Sequence, residues 1–446
     1  MRILISGAGE VGNHLAKLLS NEDHDVILMD EEEKKLRPAA QHFDVMTVVG
    51  SGTSIDDRKN AQVKTCDLFI AVPPYEEESI LSAMLAKKLG AKKTFARINN
   101  FEYLHEENKE YFRQLGIDEL IFPEYLGALE IIASLKQVGI RQMFEFSEGQ
   151  LLLYAIKLRS NAPIVGMTLS QAASLHSTNE YFTVAIVRDG KTIIPRGKDM
   201  FLHNDLAYVV TTKSSAPHLL ADAGKISQEV KNVMILGGSR IGKKVAKDLE
   251  SQYHIKIIEI NKEKSNRLAD MLENTLIING DGRNLELLKD EGLGKTDAFI
   301  AVTGNSEVNI LACQLAKKMG VIKTVAEVEN MDYIDLAENI GIGTIINKKL
   351  IAASYIYRHT LKANVSYVKC LTATDADVLE LIAKKNSKIT RDILKNLDIP
   401  KDVNIGGIIR NKSVIIPSGN TQIIPDDKVV VFALPSGVKK IEKMFL

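Results

Sequence analysis

Ile3-Leu4-Ile5-Ser6-Gly7-Ala8-Gly9-Glu10-Val11-Gly12 is the stretch on which the fold is read. An apolar run, Arg2–Ser6, enters a Gly-x-Gly-x-x-Gly turn, and Val11–Leu19 continues with helical periodicity. A strand that enters such a turn and leaves it as a helix opens a parallel βαβ unit. The first glycine permits the tight turn, the second admits a pyrophosphate to the backbone, and the third lets helix and strand pack closely. The exposed N–H groups and the helix dipole then favour an anion. Asp30 ends the next strand, 18 residues after Gly12. It is placed to accept from a ribose hydroxyl. A packing turn without ligand is the plainer alternative.

The stretch occurs twice. An offset of 230 carries Gly7 to Gly237, Gly12 to Gly242, Gly50 to Gly280, Asp67 to Asp297 and Tyr103 to Tyr333. A one-residue indel makes Glu259 the counterpart of Asp30. Between the turns, strand-like runs (Asp25–Met29, Val45–Val49, Leu68–Val72, Thr94–Ile98) alternate with helical ones (Glu32–Gln41, Glu77–Leu89, Tyr125–Val138). Such alternation with apolar strands predicts a doubly wound parallel sheet covered on both faces. The pattern then changes to short strands at Leu151–Lys157, Val184–Arg188, Lys191–Ile194 and Leu206–Thr212. This β-rich module also repeats: Ile194-Pro195-Arg196-Gly197 matches Ile416-Pro417-Ser418-Gly419, and Asp205 matches Asp427, at an offset of 222. The expectation is an α/β chain of two tandem Rossmann-like domains, each followed by a small α+β, β-rich domain. The expected segments are 1–140, 141–215, a polar linker at 216–230, 231–362 and 363–446.

The two glycine turns differ. Ser239 replaces the middle glycine of the second, so a side chain stands where a phosphate would approach. Glu259 keeps the ribose acid. Arg240 could reach a phosphate or be a solvated helix residue. After the fourth strand the first unit reads Pro73-Pro74, which removes backbone donors. The second reads Thr303-Gly304-Asn305, polar enough to line a ligand. Arg97 could pair with phosphate or form a salt bridge, whereas Glu327 in its place would repel phosphate. An acid at Asp30 argues against NADP. It leaves NAD(H) and ATP/ADP open.

Lys plus Arg equals Asp plus Glu, 57 each, so no global field attracts nucleic acid or an anionic membrane. No apolar run approaches the ~18 residues of a spanning helix, and the start of the chain reads as free of a signal peptide. Cys66, Cys313 and Cys370 have no CxxC spacing. They read as small buried residues in a reducing compartment rather than as disulfides or a zinc site. His176 and His203 are the histidines of the first β module, and His176 reads as a solvated turn residue. No HExxH, GxSxG or GxxxxGK[ST] motif is present, so metalloprotease, hydrolase-elbow and P-loop chemistry lack support. The Glu76-Glu77-Glu78 run reads as a helix N-terminus complementing its dipole. No catalytic residue and no metal ligand is expected.

Two tandem units, each a Rossmann-like lobe plus a small β-rich lobe, resemble the TrkA family, whose units are RCK domains, regulators of K⁺ conductance. The resemblance rests on both glycine turns, Asp30 and Glu259, the Gly50-Ser51 and Gly280-Asp281 turns, Thr303–Asn309 and the paired Ile-Ile-Pro-x-Gly segments. It implies a cytoplasmic regulatory subunit, peripheral on the inner face of the membrane. Such a subunit would form a homotetrameric or dimeric ring against a TrkH/TrkG-type potassium channel or transporter. It would bind NAD(H) or ATP/ADP. Carried over by position, Gly7, Ala8, Gly9, Glu10, Val11, Asp30, Ser51, Pro73, Pro74 and Arg97 would form one nucleotide site. Gly237, Gly238, Ser239, Arg240, Ile241, Glu259, Asp281, Thr303 and Glu327 would form the other. A sensor for a different ion transporter, or an NAD-dependent oxidoreductase, are the alternatives.

Overall fold

The computed structural model describes residues 1–20, 24–135, 142–147, 149–175, 180–225, 229–361, 365–370, 376–411 and 413–446. His176 and the side chain of Cys370 lie outside the described residues. The chain divides into two compact units, Met1–Leu126 with Lys348–Thr360, and Gly127–Asn347 with Leu361–Leu446.

The first unit holds six parallel strands: β1 Arg2–Ser6, β2 Asp25–Asp30, β3 Met46–Val49, β4 Leu68–Ala71, β5 Lys93–Arg97 and β6 Glu119–Ile121. Their order is β3-β2-β1-β4-β5-β6. Ile3, Leu4, Ile5, Leu28, Phe69 and Ile70 have no exposed surface, as strands covered on both faces require. Chain order reverses between β1 and β4. That switch point opens a crevice at the carboxyl ends of the strands. The glycine turn lies there. The acidic run opens the helix Glu76–Lys88 as expected, and Glu76 accepts from the N–H groups of Asn99 and Asn100 at 2.7 and 3.1 Å.

The last helix of this unit comes from far along the chain. Lys348–Tyr357 packs against the helix Glu10–Ser20. Leu350, Ile351, Ala352, Ala353 and Ile356 are all buried, so apolar surface runs around much of the helix. The expected segment 231–362 includes this helix, yet it completes the first lobe.

In the second unit β7–β11 are Gln142–Phe146, Leu151–Lys157, Tyr181–Arg188, Lys191–Ile193 and Leu206–Thr212. They form an antiparallel sheet in the order β10-β9-β11-β8-β7. β7 was not expected, and β9 starts three residues before the expected strand. The stretch read as a linker carries a helix, Ala216–Asp222, whose Leu219 and Leu220 are buried. The second parallel sheet consists of β12 Asn232–Leu236, β13 His254–Glu259, β14 Thr275–Asn279, β15 Ala298–Ala301, β16 Lys323–Glu327 and β17 Thr344–Ile346. Its order, β14-β13-β12-β15-β16-β17, repeats that of the first. The second antiparallel sheet is β18-β19-β22-β20-β21, with β18 Val365–Cys370, β19 Asp377–Ile382, β20 Val403–Arg410, β21 Ser413–Ile415 and β22 Lys428–Ala433. The two antiparallel modules share one core, in which Leu151 and Tyr208 pack with Val430 and Phe432. The matched acids have one role: Asp205 and Asp427, buried, take bidentate bonds of 2.8–2.9 Å from Arg188 and Arg410.

Candidate functional site

Gly7 has φ +104°, and a Cβ there would lie 3.0 Å from the backbone of Val72 and Pro73. A Cβ on Gly12 would collide with the Gly7 carbonyl. Both positions therefore require glycine for the turn itself. Gly9 is different. It is exposed, and nothing lies within 4 Å of where its Cβ would be. Its missing side chain leaves open space at the helix N-terminus, where an anion is favoured.

Asp30 is fixed against this turn. One carboxylate oxygen accepts from the Ala8 N–H at 2.8 Å and the other from Glu32 at 2.9 Å, with the Lys35 ammonium at 3.9 Å. A carboxylate has about four acceptor positions, so capacity remains for a ribose hydroxyl. Burial, with the charges of Glu31 and Asp30, pushes the Glu78 carboxyl up. Pro73 is buried, Pro74 exposed, and Val11 half-buried. The Ser51 N–H is spent on Asp57 at 2.9 Å. Arg97 is held by Glu124 at 3.3 Å, a salt bridge as in the alternative to phosphate pairing, but a partly buried one where a surface bridge was expected.

Two residues near this site gave no sequence signal. Lys349, with a side chain only 9 % exposed, reaches Glu10 at 2.7 Å from the helix Lys348–Tyr357. Arg58 is fully buried, donates to the Gly52 carbonyl and lies 5.2 Å over the Phe69 ring. Burial brings its pKa down to about 10. Leu288 replaces it in the repeat.

The second turn has the same backbone, with Gly237 at φ +103°, but different surroundings. The Ser239 hydroxyl accepts from the Gly242 N–H at 3.3 Å and caps the helix Arg240–Leu249. It takes a donor that a phosphate would use. Gly238 and Ile241 are buried, whereas Arg240 is exposed. Glu259, 5 % exposed, accepts from Gly238 and Asn261 and pairs with Lys264, each at 2.9 Å. Burial pushes its carboxyl up. The Asn261 N–H, Lys264 and the Gly238 N–H outweigh that and hold it below the ordinary value. Arg283 clamps Asp281 at 2.7 Å. Asn309 receives the Thr303 N–H at 3.0 Å and donates to the Glu327 carbonyl at 2.8 Å. Glu327 is itself buried. Where Gly9 leaves open space in the first turn, the second carries the Ser239 side chain, turned onto its own helix.

Among the described residues no group of His, Cys, Asp and Glu is arranged to hold a metal ion, and no helix is long and apolar enough to cross a membrane.

Two six-stranded parallel sheets with a glycine turn at each switch point, each followed by an antiparallel module, define a tandem Rossmann-type protein. The TrkA-N domain family matches residues 3–123 and 233–348, and the TrkA-C domain family residues 153–223 and 378–446. The chain belongs to the TrkA family. It is 30 % identical over 451 residues to the Trk system potassium uptake protein TrkA of Azorhizobium caulinodans, covering 100 % of this chain and 98 % of that protein. It is 31 % identical over 454 residues to the TrkA homolog 2 of Methanosarcina mazei, covering all of both. Among solved structures, the GsuK channel bound to NAD superposes with a TM-score of 0.59 at 15 % identity, over 100 % of this chain and 78 % of that one.

Proposed function

We propose that this chain is the nucleotide-sensing regulatory subunit of a membrane potassium uptake system. NAD(H) or ATP/ADP binds at the first glycine turn, with Gly7–Val11 on the phosphates and Asp30 on the ribose. The chain acts as a homo-oligomeric ring on the inner membrane face, against a TrkH/TrkG-type subunit, and has no catalytic role of its own. The observation that carries this reading is the asymmetry of the turns, open at Gly9 and capped by Ser239. Full-length likeness to Trk uptake proteins and a fold shared with an NAD-bound channel support it.

A ligand shifts a conformational equilibrium only by its differential affinity for the two states. Couplings of about 1–3 kcal/mol per site, several in one ring, are enough to alter transport. The test is ⁸⁶Rb⁺ flux through the reconstituted membrane partner with this chain present, titrated with ATP, ADP, NAD and NADH. At least one nucleotide should change the flux about fivefold or more. Gly9→Asp should remove the response. Flux insensitive to all four would contradict the reading.

A further inference from the structure

The loop 50–54 passes beside the end of β1, where the first glycine turn begins. A Cβ on Gly52 would fall on the hydroxyls of Ser6 and Ser82, so loop and strand end are in contact. The Gly52 carbonyl takes two donors, the Ser82 hydroxyl at 2.7 Å and the guanidinium of Arg58, on the helix Ile55–Asn60. Arg58 has no exposed surface. Its Nε and Nη1 have no hydrogen-bond partner among the described residues. The neighbouring Asp57 gives its carboxylate to the Ser51 N–H at 2.9 Å. Phe69 covers one side of the guanidinium, 5.2 Å away. Burial lowers its pKa only to about 10, so the charge remains at neutral pH.

The internal repeat lacks this whole cluster. At the offset of 230, Ser6, Ser82 and Arg58 become Leu236, Ala312 and Leu288, all buried, whereas Gly52 and Phe69 stay as Gly282 and Phe299. The same helix and loop therefore form around an aliphatic side chain, and the fold does not demand a cation at position 58. The polar cluster belongs to the lobe whose turn is open at Gly9. The apolar one belongs to the lobe whose turn carries Ser239.

Building on the reading of the first turn as the nucleotide site, we propose that Arg58 sets that site's preference for highly charged ligands, a nucleoside di- or triphosphate over a dinucleotide. A buried cation without a counter-charge is costly, and an anion bound nearby offsets the cost. The protein interior screens charge poorly, so this attraction reaches beyond direct contact. Each further phosphate charge on the ligand adds to it. Arg58 is a positioning residue: it holds the Gly52 loop beside β1 and acts on the phosphates through its field.

The test is calorimetric titration of the full chain with ATP and with NAD, free of divalent cations. The wild type should bind ATP more tightly than NAD. Arg58→Leu should weaken ATP about tenfold or more and NAD about threefold or less. Arg58→Met should do the same, and it keeps the test open if leucine packs badly. Without ligand, neither variant should melt below the wild type, because a buried charge has been removed. Equal weakening of both ligands would make Arg58 a loop support alone and overturn the proposal. So would ATP binding unchanged in both variants, a wild type that prefers NAD, or a loss of melting temperature in both variants. A wild type that binds neither ligand, or ATP binding that survives Gly9→Asp, would remove the reading of the turn itself and this proposal with it.

Discussion

Three glycines of the first turn do three separable things, and substitution should separate them. A methyl on Gly12 meets the Gly7 carbonyl. Gly12→Ala should therefore cost about 1–3 kcal/mol, the usual range for overpacking, read from the urea midpoint. A methyl on Gly9 meets nothing, so Gly9→Ala should stay within about 0.5 kcal/mol of wild type while weakening nucleotide binding. Stability lost in Gly9→Ala would mean the space in front of the turn is not open. Burial pushes the Cys66 and Cys313 thiols up to about 11 and about 12. Both should resist a thiol reagent at pH 8 until the chain is unfolded, as peptide mapping would show. Gly7, Gly12, Asp30 and Glu259 were legible in the sequence because turn geometry fixes their spacing within one βαβ unit. Glu124 and Lys349 were not. Their partners, Arg97 and Glu10, are brought to them by the fold and not by any local periodicity.

At the level of elements, the helix Lys348–Tyr357 has the most to reveal. Two histidines, His14 on the helix it packs against and His359 just beyond its own end, are half-buried. His14, on the helix Glu10–Ser20, is brought down to about 4 by burial, with Lys17 and Lys349 adding to it, and Glu10 pairs with that same lysine. His359 is brought to about 4 by burial, then Arg358 and Lys93, and lies against Phe95 at 4.8 Å and Tyr355 at 5.6 Å. A histidine whose folded pKa lies below its unfolded value of about 6.5 resists protonation in the native state. Its stabilising contribution is complete above pH 6.5 and is lost as pH falls towards 4. The loss should be on the order of 1–3 kcal/mol for each histidine. Protection factors of residues 348–360, with the slower intrinsic exchange at acid pH allowed for, should therefore fall between pH 6.5 and 4.5, and His14→Gln should flatten that dependence. Unchanged protection at pH 4.5 would contradict the burial of these rings. The destination of this helix was not readable from the sequence, because hydrophobic patterning states that a face must be covered and not by what. The linker reading failed for a similar reason: Ser, Lys and Gly around Ala216–Asp222 hid a short helix with two buried leucines.

On the scale of the molecule, the duplication was the most legible feature, since two offsets, 230 and 222, recover two pairs of sheets with matching strand orders. What the offset of 230 conceals is how far the copies have diverged chemically, with Gly9 against Ser239 and Arg58 against Leu288. A fragment ending at Leu126 lacks the helix that covers Glu10–Ser20. It should bind a hydrophobic dye and unfold at lower urea than the full chain, and a peptide spanning 348–360 should reverse both effects. The central claim is that the first turn, and not the second, is the working nucleotide site. The direct measurement is a thermal-shift titration of the full chain with ATP, ADP, NADH and NAD, repeated on Gly9→Asp and Ser239→Asp. Binding to the native state alone adds about 2.7 kcal/mol at a hundredfold excess over Kd. At least one nucleotide should raise the melting temperature of the wild type and of Ser239→Asp, and none should raise that of Gly9→Asp. A shift that survives Gly9→Asp and disappears in Ser239→Asp would contradict the account, as would no shift with any of the four.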